Sequence, residues 1–388
     1  MFGRGYPLFR LLGFQVRVGA SWSVLAVLVT WSLATGLFPF AAPGRARSLY
    51  WAMGAVGAVG LFASIVVHEL AHSVVARRFG LPLTGITLFI FGGVAEMNEE
   101  PPSARAELAM AAAGPVLSLG IGAVLLALRL PLPHSAPRSV IGYLGAANLL
   151  LAAFNLVPAF PLDGGRVLRA VLWRARGDVL WATRISSAIG AGVGVALMVL
   201  GGGVVLRGNL ITGLWWFLIG LFLRGAARGA YGQLLAREAL RGAQVHRFMK
   251  TAVVTVPPWA TLRELDERVR RHGYTVYPVT AGERLIGCIN ADRARATPPE
   301  DWDRRTVGSL VEPLTPDNTV APDSDVLRAL EIMERSGRSR LLVVEGEELI
   351  GIVALSDLVA YVAARLAPAR REVGPGWHPG QRPSQRPV

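Results

Sequence analysis

Residues 51–76, WAMGAVGAVGLFASIVVHELAHSVVA, form a largely apolar run whose only ionisable residues are two histidines and a glutamate. About 20 apolar residues are enough to cross a bilayer as a helix, so this run predicts a membrane span and narrows the fold class. Further runs at 19–40, 106–128, 141–158, 185–206 and 209–223 bring the expected number of spans to six. With 52% hydrophobic residues and a mean hydropathy of +0.42, the chain is too apolar for an ordinary soluble enzyme. Its net charge of +13 rests on arginine, Lys250 being the single lysine. The arginines flank apolar segments and form no aromatic-interleaved stripe. That argues against a nucleic-acid partner and for a lipid bilayer.

With the N-terminus inside, thirteen arginines near the spans fall on the inner side and five on the outer. This distribution satisfies the positive-inside rule. It predicts a multi-pass cell-membrane protein with both termini cytoplasmic. The opening MFGRGYPLFRLLGFQVRVGASW is basic and lacks an evident cleavage site, so with the run after it it reads as a retained membrane helix. Between the second and third spans, Thr84–Phe91 is β-branched and aromatic, and Gly92-Gly93 marks a bend or a close backbone approach. Too short to span as a helix, this segment predicts a strand or hairpin at the membrane, shielded by protein.

From about Val245 the composition turns polar, and two stretches share one layout: Pro-rich turn, amphipathic helix, short strand, acidic-Gly turn, a strand ending LIG, then a second helix. Such an internal repeat, with a period near 60 residues, indicates a tandem α/β module. The expected organisation is a membrane domain over 1–230, a linker and first repeat over 231–300, a second repeat over 301–366, and a disordered Pro/Arg-rich tail over 367–388. The one cysteine, Cys288, rules out an internal disulfide and reads as a small buried hydrophobe.

The polar residues of the second span carry the chemistry. His68 and His72 are four apart, so on a helix their imidazoles face the same way and can grip one Zn²⁺. Glu69 lies beside the first ligand, able to reach a water on the metal without binding the metal itself. Each ionisable group in an apolar span costs on the order of 2–3 kcal/mol, so a solvated face does not explain the cluster. Catalytic zinc takes three protein ligands and a water. His134, His246, His272 and His378 lie in an outer loop or the polar half. Among the carboxylates Asp163 stands out, in FNLVPAFPLDGGRVLRA at the inner end of the fourth span. Arg77-Arg78 put the histidines at the same depth.

HELAH on a membrane helix, followed downstream by NLVPAFPLDGG, resembles the site-2 proteases, zinc metalloproteases that cut inside membranes. The likeness extends to FGGVAEMN, to Gly114-Pro115 and to a C-terminal pair of CBS repeats, and so covers most of residues 50–365. It implies a polytopic α-helical membrane protein with a short β element and a soluble α/β CBS pair. It implies that His68, His72 and Asp163 bind one zinc and that Glu69 is the general base. Asn155 would help hold the substrate or the transition state, and the strand around Gly92 and Gly93 would pair with an unwound stretch of a single-pass membrane-protein substrate.

The resemblance of the polar half to CBS pairs implies an adenine-nucleotide site, with Asp357 of GIVALSD on the ribose. Here Ala354 stands where that stretch carries a hydroxyl, and GCINAD in the first repeat is one residue short. The alternative is a pair that only dimerises or docks substrate. The Gly-rich fifth span reads first as ordinary bundle packing, with a homodimer as the alternative. Two other readings of the whole chain are a CBS-regulated transporter and a noncatalytic substrate-binding homologue. A transporter predicts polar residues scattered over several spans, whereas this chain concentrates them at one motif and one aspartate.

Overall fold

The computed structural model describes residues 6–81, 83–89, 92–97 and 100–366; the expected tail at 367–388 lies outside them. Contacts divide the chain after Leu234 into two units.

The first unit opens on a hairpin, β1 (Tyr6–Leu11) and β2 (Phe14–Val18), where the sequence reads as the approach to a helix. Alternation is the physical reason for the strand: Phe14, Val16 and Val18 point one way, Gln15 and Arg17 the other. Then follow α1 (Ala20–Ser32), a π-helical turn over Leu33–Leu37, α2 (Phe38–Ala41) and α3 (Arg47–Arg78). A second hairpin, β3 (Leu83–Phe89) and β4 (Gly92–Met97), falls where the β-branched run predicts it. The four strands form one sheet in the order β1-β2-β3-β4, with β2 and β3 parallel and the other pairs antiparallel. Val16 and Val18 pack against Val66, Ile65 and Leu70 of α3 and against Trp22, and Arg77 of α3 lies over the Phe14 ring, which seats the sheet beside the histidine-bearing part of that helix.

The helices α4 (Ala104–Arg129), α5 (Ala136–Asn155), α6 (Asp163–Arg176) and α7 (Val179–Leu206) follow, and the division between the units falls within the last helix, α8 (Leu210–Leu240). Five helical segments among the described residues are long and apolar enough to cross a membrane, one fewer than expected. The difference is the fourth span: α5 has 20 residues but includes Pro137, Arg138 and the fully buried Asn148. It packs on α3 and α4, and Asn148 Nδ2 donates to Ser64 Oγ at 2.9 Å and Leu144 O at 2.8 Å. The last span also runs on past residue 223 without a break, to Leu240. In α7, a Cβ at Gly194 or Gly201 would lie 2.6 Å from the Gly220 or Gly213 carbonyl of α8, so these glycines serve packing within the chain.

The second unit repeats one pattern. Its first half is α9 (Leu262–His272), β5 (Val276–Ala281), β6 (Arg284–Asn290) and α10 (Ala291–Arg295). After the short strands β7 (Glu312–Pro313) and β8 (Thr319–Val320), the second half is α11 (Val326–Ser336), β9 (Arg340–Glu345), β10 (Glu348–Ala354) and α12 (Leu355–Leu366). Left-handed Gly273 and Gly337 end the corresponding helices, and Gly282 and Gly346 turn the corresponding hairpins. The strands make one sheet in the order β5-β6-β10-β9-β8, with β7 on β6. Each half has its own core, one around Leu265, Tyr277 and Ile289, the other around Val326, Leu341 and Val353. Cys288 is buried, as expected.

Candidate metal centre

Three helices converge on one point. His68 and His72 project from the last third of α3, both buried. Asp163 is the first residue of α6, 95 positions after His68, and reaches both histidines: its Oδ2 lies 3.1 Å from His68 Nε2 and 3.2 Å from His72 Nε2. The turn before it explains how the acid gets there. A Cβ at Gly164 would lie 2.3 Å from Leu156 O, and one at Gly165 would lie 2.3 Å from Phe160 N. Only with glycine at both positions can α6 fold back onto 156–160 and aim Asp163 inward.

α4 shapes the other side. His72 Nδ1 donates to Met110 O at 2.7 Å, and His68 Nδ1 lies 2.9 Å from the fully buried Ser118 Oγ. These partners fix the ring orientations and leave both Nε2 atoms toward Asp163. Between them, Gly114 leaves a gap: a Cβ there would sit 2.3 Å from His72 Nε2 and 2.7 Å from His68 Nε2. Met110, Gly114 and Ser118 are one turn apart, so one stripe of α4 makes the whole wall.

The donor set calls for a cation. With its N–H on Nδ1, His72 turns the Nε2 lone pair at a carboxylate oxygen 3.2 Å away, and that nitrogen is buried without a hydrogen-bond partner. Two lone pairs so placed repel unless a positive charge lies between them. His68, His72 and Asp163 each offer one atom, all within 4.8 Å of one another. Two imidazole nitrogens and one carboxylate are a donor set that suits catalytic zinc, which takes three protein ligands and keeps its fourth position for water.

The other expected residues distribute unevenly. Glu69 is half-buried beside the cluster, within electrostatic reach of His72, Asp163 and Arg166. Asn155 ends α5 and donates from Nδ2 to Leu151 O at 3.1 Å, so its amide serves the helix end. Gly92 and Gly93 pair with Phe89 and Leu88 at the start of β4, the terminal strand of the sheet. Sequence reasoning missed Glu107, fully buried on α4, and its partner Arg169 on α6. Arg169 Nε donates to Glu107 Oε1 at 2.5 Å, and Arg169 Nη2 reaches Glu100 Oε2 at 3.3 Å. The signal was an acid and a base at spots where apolar helices should face each other.

In the second unit, Lys250, Tyr274, Arg340, Ser356 and Asp357 line a cavity of about 110 Å³. Lys250 Nζ donates to Asp357 Oδ1 at 2.9 Å, while Asp357 Oδ2 is buried without a partner. The repeat puts Asp292 opposite Ser356, and Arg293 takes the place of Asp357. Arg293 Nη1 and Arg338 Nη2 both donate to Glu312, at 3.2 and 2.7 Å. The Arg338 bond, aided by Arg293, holds the Glu312 carboxyl below the usual glutamate range despite partial burial.

The sequence matches Peptidase family M50 over residues 56–133 and 130–201, and CBS domain over residues 307–364. Rip3 of Mycobacterium tuberculosis, named as a zinc metalloprotease, is 38% identical over 365 residues, covering 92% of each chain. The chain belongs to peptidase family M50. Zinc metalloprotease MJ0392 of Methanocaldococcus jannaschii is 29% identical over 358 residues, 91% of this chain and 94% of that one. A solved structure, the Site-2 Protease from Methanocaldococcus jannaschii, is 33% identical over 58% of this chain and 94% of its own, with a TM-score of 0.43. As an M50 member the chain is a multi-pass intramembrane zinc metalloprotease with a soluble CBS region, and the transporter reading falls away.

Proposed function

We propose that His68, His72 and Asp163 hold the zinc and that Glu69 is the general base for peptide hydrolysis within or beside the membrane-spanning segment of a single-pass protein. The observation that carries this reading is the pair of Nε2 atoms facing Asp163 Oδ2 across the gap left by Gly114. When bound, zinc polarises the scissile carbonyl and lowers the pKa of its water to about 7. Glu69 takes the proton of the attacking water and returns it to the leaving amine. Ser118 and the Met110 carbonyl keep both imidazoles aimed while charge develops. Asn155 can contribute only by turning its amide away from Leu151.

A substrate peptide bond inside a helix is shielded by its own hydrogen bonds. The edge of β4, with Gly92 and Gly93 allowing close approach, offers an extended segment the backbone partners that keep it unwound. The 20-residue α5 supplies the even crossing that puts both termini and the CBS pair on the arginine-rich, cytoplasmic side. The CBS cavity takes an adenine nucleotide, its ribose displacing Lys250 from Asp357.

Glu69→Gln keeps the shape and removes the base. Zinc content should stay near one per chain while cleavage drops by about 10²–10⁴-fold, the usual worth of a general base. Expressing both forms at equal level and quantifying intact single-pass proteins by mass spectrometry reads this out. Full activity in the variant overturns the assignment of Glu69.

A further inference from the structure

The hairpin β1–β2 has two unlike faces, and only one strand of the apolar face is covered. Register puts Tyr6, Phe9 and Leu11 on the same side as Val18, Val16 and Phe14, and Arg10 on the side of Gln15 and Arg17. α3 and Trp22 cover Val16 and Val18, and Phe14 is buried beneath Arg77. Its β1 residues stay open: Tyr6 is 71% exposed, Phe9 47% and Leu11 37%. The turn continues the pattern. Leu12 and Gly13 both have positive φ, and Leu12 is 59% exposed. Hairpin turns of this kind favour Asn, Asp or Gly at that first position; here an exposed leucine takes it and extends the open apolar surface of β1 to the tip.

The hairpin is held at a defined depth. Arg77, in the last turn of α3, donates to Leu12 O at 2.9 Å and stacks over Phe14 at 4.6 Å. At its other end β2 leads into α1, whose Val24, Val27, Leu28 and Trp31 are exposed along a membrane span. The hairpin thus leads along the chain directly into a membrane span with an exposed apolar surface.

We propose that β1–β2 is an interfacial anchor: Tyr6, Phe9, Leu11 and Leu12 enter the headgroup–acyl boundary of the leaflet where α3 ends, and the Arg10 face meets anionic headgroups. An amphipathic element with basic and apolar sides is stable at that boundary for both reasons. Because β2 is hydrogen-bonded to β3, the anchor also fixes how deep the whole sheet lies.

The single cysteine makes the test clean. In full-length protein carrying Cys288→Ser, a fluorophore is attached to Phe9→Cys, Leu12→Cys, Gln15→Cys or, as a water-exposed reference in the CBS unit, Glu347→Cys. The protein is placed in nanodiscs of phosphatidylcholine and phosphatidylglycerol. A nitroxide on the lipid near the headgroup should quench the Phe9 and Leu12 probes several-fold more than those at Gln15 and Glu347, and aqueous iodide should show the reverse order. Should Phe9→Cys fail to fold, Leu12→Cys alone decides, since its exposed side chain at the turn tip does not contribute to the core. Iodide quenching at Leu12 equal to that at Glu347 overturns the proposal.

Discussion

At the scale of single residues, the site depends as much on what is missing as on what is present. Gly114 contributes no side chain, and the emptiness it leaves is where the two Nε2 atoms point. Gly114→Ala should place a methyl carbon on the metal's side of both rings and turn them off Asp163. Residues that orient metal ligands are worth about 10–100-fold in metal affinity, and a methyl within 2.7 Å of both ligating nitrogens should do at least as much. Zinc per chain, measured by atomic emission after dialysis against a weak chelator, should fall by about tenfold or more. An unchanged zinc content would mean that the rings bind in a different pose. His68 and His72 were legible in the sequence because both lie on one helix. Ser118 and Met110 were not, because a serine and a backbone carbonyl on another helix carry no mark of the ring they will meet.

At the scale of elements, α6 must hold Asp163 against α3 although it touches the rest of the unit mainly through α4 and α7. The buried Arg169–Glu107 pair lies along α6 from Asp163 and joins it to the same helix that orients both imidazoles. Breaking a buried pair by removing one partner costs about 3–5 kcal/mol, because the remaining charge is left without compensation. Arg169→Met should therefore destabilise the membrane unit by about that much, while Arg169→Met with Glu107→Leu should recover most of the loss. Calorimetric unfolding in detergent distinguishes the two. Equal loss in single and double variants would show that the pair acts through something other than its charges. The sheet illustrates a different limit of local reading. Hairpin β3–β4 follows from its β-branched run, but β1–β2 is masked by its position ahead of an apolar helix, and the parallel β2–β3 pairing joins segments separated by two membrane helices.

At the scale of the whole molecule, the proposed metal site belongs to the first unit and the proposed nucleotide site to the second. The CBS pair keeps its internal symmetry in backbone and loses it in charge: one side offers Lys250, Arg340 and the half-satisfied Asp357, and the other is closed by Arg293, Arg338 and Glu312. On the proposed reading of this cavity, one nucleotide binds per chain. Titration calorimetry of the full-length protein with AMP and ATP should give a stoichiometry near one, lost in Asp357→Asn. Two equivalents, or binding that survives Asp357→Asn, would contradict the single site.

The sequence by itself determined what depends on composition and short spacing. Apolar length set the membrane spans, the four-residue interval put His68 and His72 on one face, and the duplicated layout announced the CBS pair. These are local properties, fixed by helix and strand periodicity. Asp163 already stood out in the sequence by its turn and its depth, but tertiary structure alone decided which other distant groups meet: Glu107 with Arg169, Gly114 with the empty side of the rings, and Arg77 with the tip of β1–β2. It also decided that α5, with Arg138 at one end and Asn148 inside, belongs in the bundle although it falls short of the other spans in apolarity. The reason is that a buried polar group is tolerable only beside its partner, and the partner's place is a property of the packed chain.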